Sequence, residues 1–375
     1  MHEQPDTHTS YTPVGIVART KYFIHKHERV ISITALLAGF LLDSLTLTRI
    51  DRLYDNIVVG TYITISLFGI FIVNLYEHST FKVKLFDFFH SIFPIIIQFA
   101  FGGLFSAFTV FYGRSSSISG SWPFLFILVG LLVGNEFLKR HYRVFTLQVS
   151  LLFFIIYSYS IFVVPILVHK MNGWVFTLSG FLSLVIIFLY IRLFRRFIPQ
   201  LYMRSKIALR LSIVAILVFI NILYIYNFIP PIPLSIKDTG IYHSIIKTAD
   251  GTYLAEKEKQ PWYHFLMSDR LHIQAGDSLY AFSSIYTPIH SDIVIVHKWQ
   301  QWDDALNEWV TKSKIPFSIT SGRIDGFRGY SIKGNITTGL WRISIENERG
   351  QVIGREVFVV KENDDTKRII QQVNL

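Results

Sequence analysis

Long unbroken apolar runs fill the first two thirds of the chain, and short alternating ones fill the last third. Seven stretches approach or exceed the ~20 mostly apolar residues that a helix needs to cross a hydrocarbon core. They are Val30–Leu47, Asn56–Tyr76, Phe89–Phe111, Trp122–Leu138, Val144–Val168, Trp174–Leu193 and Ala208–Phe228. Each is apolar all round, so each must be buried in protein or lipid. The first follows 29 mostly polar residues and has no small-residue cleavage site, which predicts a span rather than a signal peptide. At Pro230-Pro231-Ile232-Pro233 the pattern changes to period two, broken by Gly, Asn and Asp. Ser278–Thr287, Asp292–Trp299, Ile315–Thr320, Phe327–Lys333, Leu340–Ile345 and Gln351–Val360 read as strands, within a set of about eight. Glu348-Arg349-Gly350 marks a hairpin between the last two, and Trp341 shares the inward phase of Ile343 and Ile345.

This pattern predicts a membrane all-α bundle of about seven transmembrane helices followed by an extracytoplasmic all-β, sandwich-like domain. The predicted divisions are a cytoplasmic tail at 1–29, helices at 30–229, a Pro-rich spacer at 230–235 and a β-domain at 236–375. From Glu362 the chain reads as a charged, frayed tail.

Composition narrows the picture. Of 375 residues, 51% are hydrophobic and only 17% charged, against about 25% charged in ordinary soluble domains. There is no cysteine, which excludes disulfides, thiolate metal sites and cysteine nucleophiles. The net charge of +10 would ordinarily suggest an anionic partner such as nucleic acid. Its distribution gives a different reason. The N-terminal tail and the second, fourth and sixth loops hold thirteen Lys and Arg, among them Arg19, Lys82, Lys139, Arg195 and Arg204. The alternate loops hold four: Arg49, Arg52, Arg114 and Lys170. Short cytoplasmic loops carry the excess of Lys and Arg. The bias predicts a cytoplasmic N-terminus, an extracytoplasmic C-terminal domain, a multi-pass place in the cell inner membrane and no nucleic-acid partner.

The C-terminal stretch resembles a known family. The residues that carry the likeness are His297-Lys298-Trp299, Gly326-Phe327-Arg328-Gly329-Tyr330-Ser331-Ile332-Lys333, Gly339-Leu340-Trp341-Arg342-Ile343-Ser344-Ile345, Gly350-Gln351-Val352-Ile353-Gly354 and Phe358-Val359-Val360. Together they are similar to the bacterial domain-of-unknown-function family numbered 2914. In the helical half, Gly39-Phe40-Leu41-Leu42-Asp43, Arg49-Ile50-Asp51, Arg114-Ser115-Ser116-Ser117 and Gly134-Asn135-Glu136-Phe137 resemble that family's multi-helix region. The resemblance implies architecture and no activity.

Two groups of residues could carry binding. Asp43 sits at membrane depth near the outer end of the first span, where an ionisable group is costly and marks a functional site by default. Arg49, Asp51 and Arg114 share that outer face, and a sealed ion pair with Asp43 is the competing structural reading. In the β-domain, His297, Trp299, Arg328 and Tyr330 combine Arg with aromatics, the usual composition of a binding patch. Their phase with Ile293, Ile295 and Ile332 gives a core role as the competing reading. His90, Gln98, Asn74, Gln148 and Asn221 read as helix-to-helix hydrogen bonders, and Gly130-x-x-x-Gly134 as a site of close helix approach. No catalytic, metal or cofactor motif is legible. The sequence therefore reads as a non-enzymatic membrane protein presenting a β-module to an envelope protein or a glycan. The alternative is a membrane enzyme or transporter handling a lipid-linked or small anionic substrate around Asp43 and Arg49.

Overall fold

The computed structural model describes residues 28–47, 52–78, 84–114, 118–137, 144–231, 234–249, 252–259, 269–274, 276–287, 293–319, 327–362 and 370–375. Seven helices come first among these: α1 (Glu28–Thr46), α2 (Leu53–His78), α3 (Lys84–Arg114), α4 (Ile118–Phe137), α5 (Phe145–Val168), α6 (Gly173–Phe197) and α7 (Pro199–Ile225). Five of them hold segments long and apolar enough to cross a membrane: Leu53–His78, Phe93–Arg114, Phe145–Val168, Gly173–Phe197 and Pro199–Ile225. The apolar parts of α1 and α4, Leu36–Thr46 and Ser121–Phe137, are shorter.

Helix α5 is the central element, with Phe153, Ile155, Tyr157 and Phe162 almost fully buried. The outer helices instead expose large apolar side chains, such as Phe126, Phe181, Phe188 and Ile207. Polar side chains join the helices where apolar packing gives no direction. Asn74 donates to Gln148 at 2.7 Å, Asn221 donates to the Tyr157 hydroxyl at 3.2 Å, and Asn135 donates to the Gln98 carbonyl at 3.1 Å. The side chain of His90 lies outside the described residues. Close approach occurs at other glycines than expected. A Cβ at Gly130 or Gly134 would meet nothing within 4 Å, whereas one at Gly69 would stand 2.9 Å from Ile97.

Eleven strands follow: β1 (Ser235–Tyr242), β2 (Ser244–Lys247), β3 (Tyr253–Glu258), β4 (Asp269–Ile273), β5 (Leu279–Tyr286), β6 (Ile293–Asp303), β7 (Glu308–Ile319), β8 (Phe327–Lys333), β9 (Gly339–Asn347), β10 (Val352–Glu362) and β11 (Ile370–Asn374). They form sheets ordered β1-β5-β8, β4-β10-β9-β6-β7 and β11-β3-β2. Pairing is antiparallel except for β4 beside β10, so the five-stranded sheet is mixed. The first two sheets feed one core, in which Ile241, Ala281, Trp299, Trp341, Ile343 and Phe358 are buried together. The chain beyond Glu362 is not wholly a frayed tail. Residues 363–369 lie outside the described set, and β11 then pairs antiparallel with β3, placing Val373 opposite Ala255.

The β9–β10 hairpin turns where expected. Gly350 has φ +76°, a left-handed conformation that costs glycine little, and its N–H donates to the Asn347 carbonyl at 2.9 Å. Gly329 serves close packing rather than a turn. It lies within β8, and a Cβ there would stand 2.6 Å from the Phe317 ring.

Candidate functional site

The two halves meet at the end of the helical region where α5 and α7 finish and α6 begins. His169 ends α5 in the left-handed region at φ 57°, and Asn172 caps α6 by accepting from the Val175 N–H at 3.0 Å. The loop between them is therefore fixed at both ends, and it carries Lys170 and Met171. Met171 reaches into a β-domain cluster with Leu234, Ile345 and Ile353. Helix α7 ends similarly. Asn227 has φ 58°, and its side chain donates to the Arg349 carbonyl at 3.4 Å. Gln351 donates from its side chain to the Ile229 carbonyl at 3.1 Å. The tip of the β9–β10 hairpin is thereby held against the linker.

A cleft of about 450 Å³ opens at this junction. Its apolar wall includes Ile161, Pro165, Phe176, Ile229 and Pro230, and its charged rim is Lys170, Glu348 and Arg349. Tyr224 and Phe176 stack face to face with ring centroids 3.5 Å apart, and the Arg349 guanidinium lies 4.0 Å above the Tyr224 ring. Partial burial lowers the Arg349 pKa below the ordinary arginine value. Neither Lys170 nor Arg349 forms an ion pair among the described residues. Domain junctions are common places for ligand clefts. No single sequence motif marks this one, because its rim comes from two turns far apart in sequence, the α5–α6 loop and the β9–β10 turn.

Asp43 is half-buried on α1, beside Ser106 of α3 and near Tyr62 of α2. Arg114 donates to the Ser44 carbonyl at 2.6 Å, tying α3 to the turn that carries Asp43. Arg49 and Asp51 lie outside the described residues. In the β-domain, His297 and Trp299 are 0% exposed and form a sealed network with two serines. Ser283 Oγ is 2.8 Å from His297 Nε2, Ser331 Oγ is 2.9 Å from Nδ1, and Trp299 Nε1 donates to Ser331 Oγ at 3.0 Å. Because Ser331 accepts from Trp299, its own proton can go to Nδ1, and His297 then donates from Nε2 to Ser283. That arrangement suits a neutral imidazole, and burial lowers the His297 pKa to about 3. The network links β5, β6 and β8, and so joins the first two sheets.

Arg328 and Tyr330 are half-buried on β8, away from the cleft. Arg328 donates to the Leu375 carbonyl at 3.0 Å, and Tyr330 packs edge-on against Tyr253. A second buried network joins Glu258 to His243 at 2.8 Å and to His272 at 2.9 Å. Desolvation raises the Glu258 pKa, but the hydrogen bonds from both histidines outweigh it and the net shift is downward. No group of three or more His, Asp or Glu suited to a metal occurs among the described residues.

The β-hairpin that reaches the junction belongs to a segment with known relatives. Residues 292–360 match the family described as Protein of unknown function (DUF2914). The DUF2914 segment thus runs from the start of β6 nearly to the end of β10 and includes His297, Trp299, Trp341 and the Arg349 turn. No curated protein matches the chain. Among solved structures, one similar chain is the Pseudomonas fluorescens alkylpurine DNA glycosylase AlkC bound to DNA containing an abasic site analog. It is 7% identical with a TM-score of 0.22, covering 76% of this chain and 84% of that one. At that score the likeness carries no argument about fold or function.

Proposed function

We propose that this chain is a multi-pass membrane protein whose C-terminal β-domain, a two-sheet sandwich, is held rigidly on the extracytoplasmic ends of its helices as a non-enzymatic binding or assembly module. One observation carries the reading. The end of the helical region that bears the β-domain holds the α5–α6 loop, with Lys170 as its one Lys or Arg, and the end of α7, with no basic residue in its last turn, whereas Arg195, Arg196, Arg204 and Lys206 lie at the opposite end. The exposed indole of Trp174 and the ring of Tyr226 stand at the β-domain end, as interfacial aromatics do. For an envelope protein or a glycan, the outer face of the five-stranded sheet is the suitable surface. There Trp302 and Trp309 pack edge-on at 5.4 Å, and Arg342 lies 4.3 Å above Trp309. A planar aromatic beside a guanidinium suits a sugar face or a partner's side chain.

A second reading, a transporter or enzyme acting on an anionic substrate, rests on Asp43 lying between α1, α2 and α3 beside Ser106 and Tyr62. A reporter active only in the cytoplasm, fused after Leu375, tests the first reading. Silence is the expected result, and strong signal would overturn the orientation.

A further inference from the structure

We propose that the junction cleft binds a phosphate-bearing anion, with Lys170 and Arg349 holding the phosphate and the wall of Ile161, Pro165 and Phe176 receiving an attached apolar tail. The inference rests on the membrane reading above and adds a ligand class to it. Two cations, contributed by loops 179 positions apart, are brought to one opening without a carboxylate ion pair among the described residues. Both are pre-positioned. The Lys170 loop is capped at His169 and Asn172, and the Arg349 turn is held by Asn227, Gln351 and the Tyr224 ring. Pre-ordering of this kind removes part of the entropy cost of binding. A guanidinium offers a fork of donors that fits phosphate oxygens, and an ammonium adds a point charge.

The apolar wall decides between a bare anion and an amphiphile. Pro165 and Phe176 belong to the same α5 and α6 whose neighbouring residues Leu167, Val168 and Trp174 are exposed large hydrophobics. The cleft therefore opens where a lipid's phosphate meets its chains. Glu348 is the opposing element on the rim and weakens anion binding. A phosphate held there would sit beside the β9–β10 tip, so occupancy would reinforce the docking of the β-domain.

The test uses the purified full chain in neutral detergent micelles. Thermal unfolding is followed as phosphatidylglycerol, phosphatidylcholine or inorganic phosphate is added. Phosphatidylglycerol should stabilise at about tenfold lower concentration than phosphatidylcholine. The double variant Lys170→Gln/Arg349→Gln should lose that preference, whereas Lys312→Gln, on exposed β7, should keep it. Inorganic phosphate without effect supports an amphiphile, whereas phosphate acting alone and lost in the double variant supports a free anion. If the double variant folds poorly, Glu348→Gln serves instead and should tighten phosphatidylglycerol several-fold. Equal responses to both lipids, no response to phosphate and no effect of Glu348→Gln would overturn the proposal. A micelle has no sides, so an inverted orientation would leave this result unchanged and would be detected by the C-terminal reporter instead.

Discussion

Trp341 shows what a single side chain contributes to the β-domain. It is 1% exposed, packs with Trp299 and Phe358, and donates from Nε1 to the Thr337 carbonyl at 2.8 Å. Trp341→Ala leaves a large cavity and should cost about 3–5 kcal/mol. Native-state hydrogen exchange of the β9 amides should report that loss. Unchanged protection would show that the ring is dispensable. Its phase was legible from alternation with Ile343 and Ile345, and so was its pairing across Gly350. The exclusion of His297 and Trp299 from any binding surface was less legible. Their core role comes from Ser283 and Ser331, which are 14 and 34 positions from His297 in sequence.

Two titratable groups, His297 buried and Glu356 half-buried, work against each other. His297 titrates near pH 3 when folded and near 6.5 when unfolded, so it destabilises the domain progressively as pH falls below about 6.5. Glu356 is raised to about 7, chiefly by burial and then by Asp269. Its contribution is full below about 4.5, the ordinary glutamate value, and is lost as pH rises through about 7. Between pH 6.5 and 5 the two slopes oppose. Glu356→Gln removes one, so the variant should lose about 2 kcal/mol of stability over that window while the parent changes little. Exchange measured at both pH values checks this, and a pH-independent variant would show that His297 does not titrate as described.

At the scale of elements, the apolar runs located the helices but not all their ends. Helix α7 starts at Pro199, about two turns before its apolar run, because Arg204, Lys206 and their neighbours continue the helix. Helix α6 and helix α7 are joined only by Ile198. The strands β1, β2, β3, β4 and β11 were not individually legible, since four of them have only four to six residues and charged or amide side chains interrupt the alternation in most. The glycine pattern misled because Gly-x-x-x-Gly is common by chance in apolar sequence, and neither Gly130 nor Gly134 faces a neighbour within 4 Å. Gly69→Ala should therefore weaken the α2–α3 contact by roughly 1–3 kcal/mol, less up to about 1 kcal/mol of gained helix propensity. Gly130→Ala should be neutral or slightly stabilising. Melting of the two variants in detergent, compared with the parent, measures the difference. Equal melting points would contradict the packing described.

For the molecule as a whole, the division into a helical half and a sheet half was legible from hydropathy alone. The cleft between them was not, because Lys170 lies in the α5–α6 loop, Tyr224 on the last turn of α7 and Arg349 in the β9–β10 turn, and Arg349 joins the other two only when the β-domain docks. A docked β-domain on the outer side of the cell's inner membrane is accessible to reagents that cannot cross that membrane. The absence of cysteine gives a clean measurement. Lys312→Cys on β7 and Arg196→Cys at the far end of α6 both place a thiol at an exposed position. In intact cells with permeable outer layers, a membrane-impermeant maleimide should label the first and spare the second until the membrane is broken. Labelling of Arg196→Cys with protection of Lys312→Cys would contradict the account.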